Sequence, residues 1–238
     1  MNEQTNHKQK GASTDAKSSE RHHHAIGRRE FFATASAAVA AFTIVPRRVM
    51  GGAGHVPPSE KIHVGYVGAG TQGIRQLIDA LPKPELRIVS VCDPNRASNA
   101  YIPWSKNEIR DKIRAFLKKP DWGQGQEGCR CGREVGREIV DSYYAMNAGS
   151  QPAGACSVYS DFRELLANEK DLDAVYIMTP DHLHATIAIA AMKKGKHVIT
   201  HKPMSNVLHE TTLAVETARK TGVATQMFCA ADSYAAPT

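Results

Sequence analysis

"HVGYVGAGTQGIRQL", residues 63–77, sets Gly68, Gly70 and Gly73 between an apolar run and a segment of helical spacing. Ile62, Val64, Tyr66 and Val67 read as a buried strand, and Ile74, Leu77 and Ile78 recur at helical intervals, so the glycines sit at a strand-to-helix turn. A G-x-G-x-x-G string alone is a weak signal; this context gives it meaning. In such a turn the first glycine permits the tight bend and the second lets backbone approach a pyrophosphate. The third lets helix pack on strand, and the helix N-terminus offers free N–H groups and a positive dipole end.

A second strand, Leu86 to Val91, ends at Cys92-Asp93, and Asp93 lies 20 residues beyond Gly73 (93 − 73). A carboxylate there can accept hydrogen bonds from adenosine ribose hydroxyls and repels a 2′-phosphate, which favours NAD over NADP. The competing reading is a turn aspartate before Pro94. Arg96 leaves NADP open, since an arginine just past this position can receive the 2′-phosphate.

Residues 97–158 break the regular pattern and read as an insertion of two short helices joined by a glycine-rich loop near 123–132. Trp104, Trp122, Tyr143 and Tyr144 in it read as packing residues more readily than as ligand contacts. Strand and helix signals then resume: Ser160 as the cap of a helix through Leu166, the strand Ala174 to Met178, the loop Thr179-Pro180-Asp181-His182, and a helix starting near His184. "HVIT" carries His201, Lys202 and Pro203 to its carboxyl end, and "VATQMF" supplies a last strand. The expected fold class is α/β, a Rossmann-like doubly wound parallel sheet with right-handed crossovers.

The ordered set GAGTQG, CDP, TPDHLH, GKHV and HKP over about residues 60–230 resembles the N-terminal domain of the glucose-fructose oxidoreductase / inositol dehydrogenase (Gfo/Idh/MocA) family. The resemblance implies NAD or NADP held by the GAGTQG turn (Gly68, Ala69, Gly70, Thr71, Gly73), by Asp93 and Arg96, and by Thr179, Pro180, His184 and Lys202. Lys202 matches the lysine of the family's E-K-P motif and is the implied catalytic residue, with His201 in place of the usual glutamate. A lysine there can hold a sugar hydroxyl, stabilise a developing alkoxide or join a proton relay; the bland alternative is a surface lysine before a proline. His184 falls on the histidine of the T-P-x-x-x-H motif, where capping or packing the loop competes with cofactor contact. The implied activity is oxidoreduction of a sugar or cyclitol hydroxyl. Glycoside cleavage through transient oxidation and a non-catalytic nucleotide-binding module are the alternatives. The family's second α+β substrate domain has too few residues after the last strand, so the expectation is a chain that mainly binds nucleotide, with 231–238 as the start of a further segment.

The 238 residues are 42% hydrophobic with formal net charge +6, ordinary for a globular protein. Residues 1–50 hold eight Lys/Arg and four Asp/Glu, which leaves +2 for the remainder and no basic stripe with interleaved aromatics, so nucleic acid is not an expected partner. "GRREFFATASAAVAAFTIVP" joins the twin arginine Arg28-Arg29 to a 15-residue apolar run, Phe31 to Val45, shorter than the roughly 20 residues of a membrane span. Residues 1–58 therefore read as a twin-arginine export leader plus linker, ahead of a nucleotide domain at 59–230. Export outside the cytoplasm, passage through the twin-arginine machinery and an unassigned homo-oligomeric state follow as expectations. No metal is expected: His22, His23 and His24 lie in the leader, and Cys129-x-Cys131 has no second ligand pair at zinc spacing.

Overall fold

The strand ahead of the glycines runs Ile62–Val67 (β1), and its side chains alternate between two cores. Val64 and Tyr66 enter one buried cluster and Val67 the other, as the two-residue period of a strand requires. This chain folds, in a computed structural model, over described residues 56–126, 128–147 and 156–228. They fall within the compact unit Pro46–Thr238. The twin-arginine motif, the apolar run and the His22–His24 cluster lie outside the described residues, as do residues 231–238.

After β1 come α1 (Thr71–Ala80), β2 (Leu86–Cys92), β3 (Ser98–Tyr101), α2 (Glu108–Leu117), β4 (Cys129–Cys131) and α3 (Arg133–Asn147). Then follow β5 (Ser157–Tyr159), α4 (Phe162–Asn168), β6 (Ala174–Ile177), α5 (His184–Lys193), β7 (His197–His201), α6 (Leu208–Thr221) and β8 (Thr225–Phe228). Six strands form one sheet in the order β5-β2-β1-β6-β7-β8, with every pairing parallel. Counted along this sheet alone the order is 3-2-1-4-5-6, the doubly wound dinucleotide-binding arrangement, and its order reverses between β1 and β6.

Both faces are covered. Ile74 and Leu77 of α1, Ile113 of α2 and Val135, Ile139 and Val140 of α3 pack with Tyr66 and Tyr176 on one face. Leu165, Ile187, Ala191 and Ala214 from α4, α5 and α6 pack with Val175 and Ile177 on the other. Ile74 and Leu77 are fully buried, and burial of such a side chain contributes about 1.5–3 kcal/mol.

The stretch 97–158 is more integrated than an insertion. Its helix α3 lies in the helical layer, and β5 is an edge strand pairing with β2. What stands apart is the antiparallel pair β3–β4, with α2 fixed to α1 by Arg75, whose Nε donates to Glu108 Oε1 at 2.8 Å. Trp104 stacks on that guanidinium at 3.8 Å. Trp122, by contrast, is buried and donates to Glu138. Tyr144 is buried and its hydroxyl accepts from Ile88 N. Helix α4 is capped by Asp161 rather than Ser160: the Asp161 carboxylate accepts from Arg163 N at 2.8 Å. An aspartate cap also sets its negative charge at the positive end of the helix.

Candidate dinucleotide-binding site

The glycine turn crosses the sheet where the strand order reverses, and there its geometry excludes side chains. Gly68 has φ +100°, and a Cβ on it would lie 2.5 Å from the backbone C and O of Met178. A Cβ on Gly73 would lie 2.0 Å from Gly68 O, so the third glycine is what lets α1 seat against the turn. The Tyr66 hydroxyl, wholly buried, donates to Gly73 O at 2.7 Å and binds strand to helix. Burial pushes this phenol well above its ordinary pKa, which keeps it a donor. Gly70 is the N-cap of α1 and provides no side-chain cap. The first-turn N–H groups of α1 thus open toward the cleft, as an anion site needs.

A cleft of about 640 Å³ runs from this turn across the sheet edge, within the 300–1,000 Å³ range of small-ligand sites. It is lined by Gly68, Gly70, Thr71 and Gly73 from the turn, by Asp93 at the end of β2, and by Thr179 and Pro180 at the end of β6. Tyr101, Asn95 and Ser160–Arg163 close its other wall. Thr179 Oγ1 is buried without a hydrogen-bond partner, an orphaned polar atom of the kind a polar ligand satisfies. The open helix end, the glycines that only bare backbone can fit and this orphaned hydroxyl suit a dinucleotide laid across the sheet edge.

Asp93 is 5% exposed, and its carboxylate is already engaged. Oδ2 accepts from Ala69 N at 2.8 Å, and Oδ1 accepts from Asn95 N at 2.9 Å and from the Tyr101 hydroxyl at 3.1 Å. Ala69 itself is fully buried and serves through this backbone donor. Arg96 is not in the cleft lining; its side chain is 80% exposed and lies 3.8 Å from Glu134. The arginine that left NADP open in the sequence is thus an exposed side chain beside Glu134, outside the cleft lining.

His184 and Lys202 also stand outside the cleft lining. His184 is 1% exposed, with Nε2 2.7 Å from Thr179 O and Nδ1 2.6 Å from Pro203 O. It ties the loop after β6 to the loop after β7. One N–H donates in either neutral tautomer and both donate only in the imidazolium. Lys202 follows β7, exposed. His201 Nδ1 lies 3.1 Å from Lys202 O, so the proton on Nδ1 donates and Nε2 is left as an acceptor. Burial lowers the His201 pKa from 6.5, against the hydrogen bond to the Lys202 carbonyl that raises it, with smaller lowering contributions from the His184 and Lys202 side chains beside it. The neighbour of Lys202 is thus a neutral imidazole at pH 7, where the family's motif carries a carboxylate.

The sequence reading missed Tyr101, Asn95 and the Ser160–Arg163 wall. Only the proximity of Asn95 to Asp93 was a local signal; Tyr101 reaches the cleft through the β3–β4 pairing. The paired thiols Cys129 and Cys131 lie 3.7 Å apart, and among the described residues no three His, Cys, Asp or Glu side chains gather to hold a metal ion.

Among curated proteins, the chain is 38% identical over 86 residues to scyllo-inositol 2-dehydrogenase (NADP(+)) IolU of Bacillus subtilis, which covers 35% of this chain and 26% of the relative. It is 25% identical over 162 residues to a glycosyl hydrolase family 109 protein of Saccharopolyspora erythraea, covering 68% of this chain and 27% of the relative. The chain thus spans about a quarter of the length of these relatives. Among solved structures, scyllo-inositol dehydrogenase of Lactobacillus casei with bound NAD(H) and scyllo-inositol aligns with a TM-score of 0.44 and 16% identity over 70% of this chain and 36% of that one. Residues 138–228, which run from within α3 to the end of β8, match the Gfo/Idh/MocA family model, described as an oxidoreductase family with an NAD-binding Rossmann fold.

Proposed function

We propose that this chain binds a nicotinamide dinucleotide, NAD in preference to NADP, at the carboxyl ends of β1, β2 and β6, and serves oxidoreduction of a sugar or cyclitol hydroxyl. The observation that carries the reading is the glycine turn at the strand-order reversal. There Gly68 and Gly73 admit no side chain and the uncapped start of α1 opens on the cleft. The substrate class rests on the family match and on the scyllo-inositol 2-dehydrogenase relative.

When bound, the dinucleotide supplies the hydride acceptor or donor. The chain's part is to hold the pyrophosphate on the first-turn N–H groups of α1, to face the adenosine ribose with Asp93, and to meet the nicotinamide end with Thr179 and Pro180. Lys202 supplies a cation at the carboxyl end of β7 that orients the substrate hydroxyl and stabilises its developing alkoxide. The His184 bonds to Thr179 O and Pro203 O fix the spacing of the two loops that carry these groups.

The test follows NADH absorbance with NAD and a panel of cyclitols and pyranoses in a version of the protein completed with the α+β substrate domain that the resemblance implies. NADH formation with a member of the panel is the expected result, and Lys202→Ala is expected to lower turnover roughly 10²-fold while leaving NADH affinity within a few-fold. Nucleotide binding with no reduction on any member would overturn the oxidoreductase reading in favour of a nucleotide-binding module. A second reading, glycoside cleavage by transient oxidation, is favoured by the long match to the glycosyl hydrolase family 109 protein. Release of an aryl leaving group from a glycoside without net NADH would select it. Export by Arg28-Arg29 is a further part of the proposal. Retention of the wild type in the cytoplasm, or normal export when both arginines are replaced by lysine, would remove it.

A further inference from the structure

Tyr101 stands at the end of β3, at an irregularity in the pairing with β4, and lines the cleft beside Gly70 of the glycine turn. Its placement is over-determined. Gly132 N, just past β4, donates to Ala69 O at 2.8 Å, which pins the hairpin to the glycine turn. Arg133 N and Glu134 N each donate at 3.0 Å to Asn95 O and Arg96 O. The Arg133 guanidinium reaches Asp93 O at 3.0 Å and Pro94 O at 2.8 Å. The hairpin is thereby locked to both the turn and the Asp93 loop. Tyr101 lies where those two meet: its hydroxyl donates to Asp93 Oδ1 at 3.1 Å and accepts from Asn95 Nδ2 at 2.8 Å. Its ring edge lies 3.1 Å from where a Cβ on Gly70 would be.

We propose that Tyr101 sets cofactor choice at the adenosine end, admitting a ribose with a free 2′-hydroxyl and refusing a 2′-phosphate. The proposal rests on the dinucleotide reading above. An ionised carboxylate offers about four acceptor positions, and three on Asp93 are taken by Ala69 N, Asn95 N and the Tyr101 hydroxyl. What remains beside the phenol suits a neutral hydroxyl that can donate to Asp93 or to the remaining lone pair of the Tyr101 oxygen. A phosphate dianion would stand against the Asp93 charge, and the phenol proton is committed to Asp93. Burial, with a smaller contribution from Asp93 and opposed by Asn95, pushes the Tyr101 phenol up to about 12, so it stays a donor at neutral pH. Of the basic side chains nearby, Arg96 lies outside the cleft lining, 3.8 Å from Glu134, and Arg163, which lines the cleft, pairs with Asp161 and lies over the Phe162 ring.

The test is a calorimetric titration of the full chain with NADH and with NADPH, in wild type, Tyr101→Phe, Tyr101→Ala and Arg96→Ala. Wild type is expected to prefer NADH at least about tenfold, the size of one hydrogen bond to a charged group. Tyr101→Ala is expected to reduce the NADH-to-NADPH affinity ratio about tenfold or more, Tyr101→Phe less, and Arg96→Ala not at all. A ratio unmoved in both tyrosine variants would overturn the proposal while leaving the dinucleotide site intact, and this includes a parallel gain for both nucleotides once the ring is gone. A ratio that moves only in Arg96→Ala, rising as the loss of a 2′-phosphate partner requires, would overturn the proposal and assign the choice to Arg96. Wild type that binds neither nucleotide would overturn the dinucleotide reading and this proposal together. Should Tyr101→Ala fail to fold by its urea transition, the ratio in Tyr101→Phe decides.

Discussion

Replacement of Gly73 by alanine tests the seat of α1 on the glycine turn. The added Cβ would stand 2.0 Å from Gly68 O and 2.9 Å from Gly68 C, both backbone atoms. Real Cβ contacts keep at least 3.0 Å, so turn and helix must part by about 1 Å. Neither side yields easily: Ile74 and Leu77 of α1 are fully buried, and the Tyr66 hydroxyl reaches Gly73 O at 2.7 Å. Overpacking of a tight site costs about 1–3 kcal/mol, and stretching the Tyr66 bond past useful length adds about 0.5–1.5 kcal/mol. The expected loss is about 1.5–4.5 kcal/mol, read as a lower urea midpoint with an unchanged slope. NADH affinity should fall at least about tenfold as the first-turn N–H groups move from the turn. Gly125→Ala is the control: its Cβ meets nothing within 4 Å at φ +75°, so only the left-handed backbone cost of about 1–2 kcal/mol applies. A Gly73→Ala variant within about 0.5 kcal/mol of wild type and unaltered in NADH binding would refute the reasoning.

Tyr66→Phe removes only the bond to Gly73 O, and a loss of about 1 kcal/mol in the urea midpoint analysis is expected; no loss would mean that the phenol does not tie strand to helix. His184→Ala strips the partner from Thr179 O and Pro203 O and empties a site that is 1% exposed. A cost of about 2–4 kcal/mol is expected, together with faster amide exchange in both loops, and unchanged exchange would contradict the clamp. The Glu108 carboxyl is held below its ordinary 4.5 by hydrogen bonds from Arg75. A lowered folded-state pKa stabilises above the unfolded value and loses that effect as pH falls. The stability difference between wild type and Glu108→Gln should therefore be flat from neutral pH down to about 5 and shrink below 4.5 in acid urea titrations. A difference that grows in acid would refute the pairing.

The glycine turn, Asp93 and the strand ends were legible because local rules govern them. Gly68 and Gly73 sit where backbone contacts exclude a Cβ, and such glycines mark themselves by spacing between a strand and a helix. The apolar periods of β1, β6 and α1 likewise reported the faces they bury. Tyr101 was not legible, since it reaches Asp93 through the short pair β3–β4, whose strands carry no clear alternation. β5 is only three residues long, too short to register, so α3 read as inserted chain rather than as the crossover to an edge strand. The orientation of Arg96 depended on Glu134, 38 residues away (134 − 96), which the Arg133–Glu134 backbone bonds bring beside it. His184 showed its motif position but not its second carbonyl partner, Pro203, which lies across two elements.

The central claim is that the glycine turn and its cleft hold a nicotinamide dinucleotide, and a calorimetric titration of the full chain with NADH, run beside Gly70→Val, tests it most directly. A side chain at Gly70 would begin at the start of α1, where its Cβ already lies 3.1 Å from the Tyr101 ring, and would cover the N–H groups offered to the pyrophosphate. Saturable binding to wild type at a single site, weakened at least about tenfold in Gly70→Val, is the expected result. Absence of binding at about 1 mM NADH, or equal affinity in the two proteins, would contradict it.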